Sequence, residues 1–278
     1  MPGEHPMTRI CAVLLPLLGL LSSPARAQLR PIDPLDWRPF DAGAPLLVEL
    51  GFGVLQDQHA SLAGTRGTLY ELGNFNVAWR TGRVVLELSG TTHRRFEDEE
   101  VVREPAHGAA GPNGQLRHDA GDVRASTLIR LGGSESAAGA VALRFGTRLP
   151  TTSEEMGLDR DRTDFFATIG GRWRRGRFSV NGESGVGIHG TRVDGYDQSD
   201  VWTYSFGMEY GLGPLTSTAV IVGHQDGHGW EVRGNEDLSE VRFGVRAGER
   251  YWVQALAVMG IATFSPGRGV LLMVGLRT

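Results

Sequence analysis

Several groupings in this sequence carry residue types able to do chemistry. Gly185-Val-Gly187-Ile-His-Gly190 has the GxGxxG spacing of a dinucleotide loop. That loop works only between a strand and a helix N-terminus. Here Thr191-Arg-Val-Asp-Gly follows without helical periodicity, so a glycine-rich strand is predicted instead. His224, Asp226 and His228 are metal-ligating types, but on a loop their spacing sets no geometry and no carboxylate is placed to orient the imidazoles. A solvated loop is predicted there. Asp159, Asp161 and Asp164 near Glu154 and Glu155 would suit Ca²⁺ or a cation bridge to lipopolysaccharide. They lack the turn glycine and closing glutamate of a calcium hand, and the prediction is an acidic surface loop, as for the run Glu97 to Glu100. Ser89 and His93 would be a nucleophile and base, yet four residues along one strand face is about 13 Å, too far for proton transfer. His189 and Thr191 are closer, with threonine an uncommon nucleophile. These patterns yield no catalytic residue, no metal ligand and no cofactor.

What would position such residues is a β-structure. The chain has 278 residues, 22% charged and 40% hydrophobic, with 40 glycines and a formal charge of −4. All 28 basic residues are arginine. The balance leaves no basic footprint for nucleic acid. Residues 1–27 read as a cleaved signal peptide, with Arg9, an apolar core from Ile10 to Leu21, and Ala25-Arg26-Ala27 as cleavage site. The lone cysteine, Cys11, falls inside it, so 28–278 holds no disulfide. Residues 28–44 are Pro-rich (Pro31, Pro34, Pro39) and are predicted as an extended periplasmic leader, short for a lumen plug.

From 45 to 278 about twelve strand candidates alternate apolar and polar residues. Val48, Leu50, Phe52 and Val54 share one face against Glu49, Gly51 and Gly53; Phe165, Ala167, Ile169 and Trp173 oppose Asp164, Thr168 and Arg172. Connections alternate between short turns (Arg80–Arg83, Arg174–Gly176, Gly213-Pro214, Gly248–Arg250) and longer loops, the longest from about Phe96 to Gly121. Segregated loop lengths are a property of outer-membrane barrels. Aromatic residues cluster at both ends of the apolar face: Trp79, Trp173, Phe178 and Tyr210 at one, Phe145, Phe165 and Trp202 at the other. The fold class predicted is therefore all-β, a single antiparallel transmembrane β-barrel of about twelve strands.

The opposite faces put Glu87, Arg124, Arg130, Arg144, Arg148, Asp164, Arg172 and Glu183 into the lumen. On the lipid face each charge would cost roughly 2–4 kcal/mol at the midplane. In a wet lumen they either pair across strands or line a solute path.

Leu149-Pro150-Thr151, a polar loop, then Thr163-Asp164-Phe165 resembles the outer-membrane transporter family associated with the meta-cleavage pathway of phenol degradation. That family shows a strand, a Leu-Pro-Thr-Gly-like exit, a loop and a Thr-Asp-aromatic re-entry; Thr152 stands where glycine is usual, and the chain ends Arg277-Thr278 where such barrels commonly end in an aromatic residue. The resemblance implies a barrel passing small, often aromatic or hydrophobic, compounds. The combined expectation is passive passage of a small-molecule solute through the bacterial outer membrane. Its partners would be outer-membrane lipid, lipopolysaccharide and the insertion machinery. The alternatives are a lipid-acting enzyme of that membrane and a plugged structural or surface-interaction barrel.

Overall fold

The computed structural model describes residues 29–41, 45–106, 116–133, 138–159, 162–190, 198–226 and 235–278. The proposed signal, Cys11, Asp161, Thr191 and His228 lie outside these. Thirteen strands run antiparallel: β1 Leu46–Ala60, β2 Thr65–Thr81, β3 Val84–Val101, β4 Leu116–Asp119, β5 Val123–Gly132, β6 Gly139–Leu149, β7 Asp164–Arg175, β8 Phe178–Gly190, β9 Gln198–Leu212, β10 Leu215–Asp226, β11 Leu238–Ala247, β12 Tyr251–Gly260 and β13 Arg268–Arg277. Apart from β4 and β5, each pairs with the next along the chain, β1 pairs with β13, and the sheet closes.

β4 and β5 are successive halves of one stave. β4 pairs with Arg94–Glu97 of β3 and β5 with Val84–Gly90. At the break, Thr91 bonds through its own N–H and carbonyl to Asp122 and Gly121. The thirteen segments thus make a barrel of twelve staves. Closure leaves no unpaired edge to face hydrocarbon. The left-handed backbone at Gly82, Gly176 and Gly213 (φ 60–66°) makes the tight turns at one end, the periplasmic end in barrels of this kind.

The outer face is apolar. Leu50, Phe52, Ile169, Val186, Phe206, Phe243 and Val274 project outward along its middle. Trp173, Phe178 and Tyr210 are exposed toward the turn end, and Phe145, Phe165 and Trp202 toward the loop end. Two aromatic girdles flanking an aliphatic band match a bilayer's interfaces. An arginine in place of Ile169 is expected to cost about 2–4 kcal/mol of folding free energy in vesicles. Denaturant titration of the folded barrel checks this, and a variant as stable as the parent would show that this face does not meet lipid.

Two expectations about connections need correction. The link between β1 and β2 is four residues, 61–64, not a long loop. The run Glu97–Glu100 lies within β3, not in a loop. β1, β2 and β3 are 15, 17 and 18 residues long, whereas crossing a bilayer takes about 9–11. Their upper parts rise clear of hydrocarbon, so charged residues alternate there without penalty: Asp98 pairs with Arg117 at 2.9 Å, and Thr68 donates to Glu99 at 2.6 Å.

A larger correction concerns the Pro-rich segment. Residues 29–41 are no periplasmic leader but run inside the barrel. Leu29 packs with Leu55, Leu69, Phe96, Leu158 and Leu271. Leu35, Trp37 and Phe40 pack with Leu47, Val85, Leu128 and Trp252. A thin chain fits where a plug domain would not; it has no sheet pairing among the described residues and closes on a single 3-10 turn at Arg38–Phe40.

Candidate functional site: an occupied, charged lumen

The inner segment is latched by its charges to several staves. Arg30 donates to Glu240 at 2.8 and 3.1 Å and to Glu71 at 3.1 Å. Asp33 accepts from Arg242 at 2.6 Å, and its carbonyl accepts from Arg144 at 2.8 Å. The Leu35 amide donates to Glu183 at 2.8 Å. Arg38 forks onto Glu49, with two bonds of 2.8 Å, and its guanidinium lies over the Trp252 ring at 5.1 Å. Asp41 accepts from Arg172 at 2.8 Å and Arg174 at 3.0 Å. Bidentate, partly desolvated arginine–carboxylate pairs are the strong members of their class.

All eight lumen candidates point inward. Arg144 sits between Glu87 and Glu183, at 3.5 and 3.6 Å, and over the Phe166 ring at 5.2 Å. Glu87 also accepts from Ser126 at 2.8 Å. Arg124 reaches Asp122 at 3.5 Å and Asp33 at 3.9 Å. Arg130 donates to the Phe40 carbonyl at 3.4 Å. Arg172 holds Asp41 and lies over Trp37 at 5.2 Å. Arg148 donates to Asp164 at 2.7 Å, to Asp122 at 2.9 Å and to Asp159.

The last cluster gives the Thr-Asp-aromatic re-entry a physical role. Arg148 of β6 and Asp164 of β7 are direct cross-strand partners, and Asp164 also caps the Gly190 amide at 3.1 Å. Thr151 donates to the Gly121 carbonyl at 2.6 Å, tying the β6 exit to the break in the β4–β5 stave. Leu149 and Pro150 end the strand, Thr163 precedes the next, and Phe165 turns outward.

Asp159 and Asp164 are therefore not on an acidic surface loop. Both are buried against arginine. Burial pushes the Asp159 carboxyl well above its usual range, and the Asp122 carboxylate adds to this against the pull of Arg148 and Arg94.

The histidines also differ from expectation. His224 and Asp226 end β10 and face inward, buried, with the His224 ring edge-on to His189 at 5.3 Å. Ser199 donates to Asp226 at 2.5 Å. Among the described residues no three His, Cys, Asp or Glu groups are placed to hold a metal ion. His93 does not share a face with Ser89. An irregularity at Gly73 (φ 65°) opposite Thr92 turns it outward, where it meets His118 at 3.3 Å.

Several residues of this network went unrecognised in the sequence: Arg30, Asp33, Arg38 and Asp41 on the segment, and Glu49, Glu71, Arg94, Asp122, Glu240 and Arg242 on the wall. Alternation marked some of the wall group, since Glu49 opposes Leu50. Nothing local marked the segment, whose partners lie up to 210 residues away.

Beside the segment remains a cavity of about 490 Å³ that reaches the turn end. Arg177, Glu209, Arg242 and Arg246 meet it from the wall, and Asp36 from the segment. Arg172 lines it, while Arg144 and Arg148 stand behind their carboxylates.

No family model and no curated protein sequence matches this chain. Among solved structures, an outer membrane channel from Pseudomonas putida F1 is similar with a TM-score of 0.57 at 11% identity, covering 89% of this chain and 100% of that one. The fold is an outer-membrane β-barrel. The translocator domain of the autotransporter NalP from Neisseria meningitidis also matches, at TM-score 0.46 and 11% identity over 84% of this chain and 87% of that one. At such identities the likeness concerns the barrel fold alone.

Proposed function

We propose that this barrel is a passive outer-membrane channel for small molecules, occluded in its resting form by residues 29–41. The observation that carries the proposal is a 490 Å³ cavity alongside a segment held by side-chain pairs and apolar contacts, with no strand pairing among the described residues. Such a segment can shift without breaking the sheet, because each of its pairs is local and exchangeable with water. The cavity lining mixes guanidinium groups with Trp37, Leu256 and Met273. Guanidinium planes stack on aromatic rings and bind oxyanions. The lining thus suits small amphipathic solutes, aromatic ones carrying a polar group included. A second reading, a permanently plugged barrel, is favoured by the number of pairs that the segment makes.

Planar-bilayer recording of the chain from residue 28 onward separates the two. Discrete steps support the channel, and an inserted but silent barrel supports the plug. Arg172→Ala is expected to shift the reversal potential toward cation preference, because Arg172 meets the cavity. Arg144→Ala is expected to shift it less, because its charge is enclosed by Glu87 and Glu183. Equal selectivity in parent and both variants would remove the charged lining from the mechanism.

A further inference from the structure

The lipid-facing wall carries a second hollow, of about 480 Å³, near the turn end of β6–β9. One row across four staves explains it. Val141 pairs with Gly171, Gly171 with Gly182, and Gly182 with Phe206. Two adjacent staves thus present bare backbone between larger side chains. Gly139 widens the floor, and Trp173 forms a rim. Glycine weakens a strand and offers no packing of its own. The barrel itself does not require it here: a Cβ at Gly171 would meet only the Ala140 carbonyl, at 3.9 Å, and one at Gly139 only the Arg172 carbonyl, at 3.9 Å. The glycines leave room on the outside.

Directly below, the β7–β8 ladder continues outward through Trp173 opposite Val180 to Arg175 opposite Phe178. Arg175 stands about 13 Å from Gly171 by strand rise, at the level of the turn. Of the turn arginines, Arg174 is held by Asp41. Arg175 and Arg177 are exposed and form no side-chain hydrogen bond or ion pair among the described residues. An apolar trough ending on the unpaired guanidinium of Arg175 at the interface complements a chain of hydrocarbon ending on a phosphate.

We propose that this hollow is a binding site for a phospholipid with an anionic headgroup in the periplasmic leaflet. One acyl chain lies over Gly171 and Gly182 beside Trp173 and Phe206, and the phosphate meets Arg175. The site is independent of what passes through the lumen.

Native mass spectrometry of the folded chain in detergent, with phosphatidylglycerol or phosphatidylcholine of identical acyl chains, tests it. Both lipids carry the phosphate, but the choline ammonium repels the Arg175 guanidinium, so the parent is expected to retain one phosphatidylglycerol about tenfold more tightly than phosphatidylcholine. Arg175→Gln should erase that preference. Gly171→Leu should lower retention of both lipids while leaving the heat-dependent gel mobility of the folded barrel unchanged. Equal retention of the two lipids by the parent, or retention untouched by Gly171→Leu, would overturn the proposal. So would a dimer that Gly171→Leu dissociates, since the hollow would then seat a second barrel. Because binding is read apart from conductance, a silent channel leaves the inference standing.

Discussion

Removing residues 29–41 is expected to raise single-channel conductance severalfold. The segment occupies the lumen from the cluster around Leu29 to that around Phe40, and leaves beside it a space of about 490 Å³. Its loss clears that cross-section. The barrel should survive, since closure rests on β1 pairing with β13 and β2 with β3, none of which uses the segment. Stability should nonetheless fall. Leu29, Leu35, Trp37 and Phe40 each stabilise by about 1.5–3 kcal/mol when buried, although the wall charges they leave can be met by entering water. A milder variant, Arg30→Ala with Arg38→Ala, cuts the grips on Glu240, Glu71 and Glu49 while the chain stays present. It should flicker between the parent's conductance and the deletion's. Bilayer recording, with gel mobility as a folding control, reads both. Steps of the parent's size in the deletion variant would mean that solute never passes where the segment lies.

A comparably large effect is expected at Arg148. Its guanidinium serves Asp122, Asp159 and Asp164, all buried. Arg148→Ala strands these carboxylates with Arg94 and Arg124 as the remaining cations beside Asp122. Removing one partner of a buried pair costs about 3–5 kcal/mol, because the other charge is left uncompensated. Asp159→Asn should be far milder, since burial already favours the protonated form of that carboxyl. Added to Arg148→Ala, it should recover part of the loss, because an amide at this position offers the stranded carboxylates two N–H donors where the protonated carboxyl offers one. Urea unfolding of the four proteins closes the double-mutant cycle. Additive losses would show that Arg148 and Asp159 do not act together, and the Thr-Asp-aromatic re-entry would then need a different physical basis.

Alternation alone exposed the lipid face of most staves. Ile169 and Trp173 had to look one way if Thr168 and Arg172 looked the other, because side-chain direction reverses at every strand residue. The inward placement of Arg144, Arg148 and Glu183 follows from the same rule. The rule fails where a bulge intervenes: Gly73 and Thr92 shift the phase, and His93 leaves the face that it shares by count with Ser89. It is also silent about how far a strand continues beyond the membrane, which is why the acidic run in β3 resembled a loop. There the solvent is water and charge no longer marks a boundary.

The closed antiparallel barrel, its apolar exterior and its charged interior were all legible in the order of residues, because period-two patterning is local and hydrocarbon tolerates no exception to it. What fills that interior was not legible there and emerged with the folded chain. Residues 29–41 have no periodicity to read, and Arg30 finds Glu240 across 210 residues. Which carboxylate each arginine meets depends on register and curvature around the closed sheet, quantities that exist once all the staves stand in place.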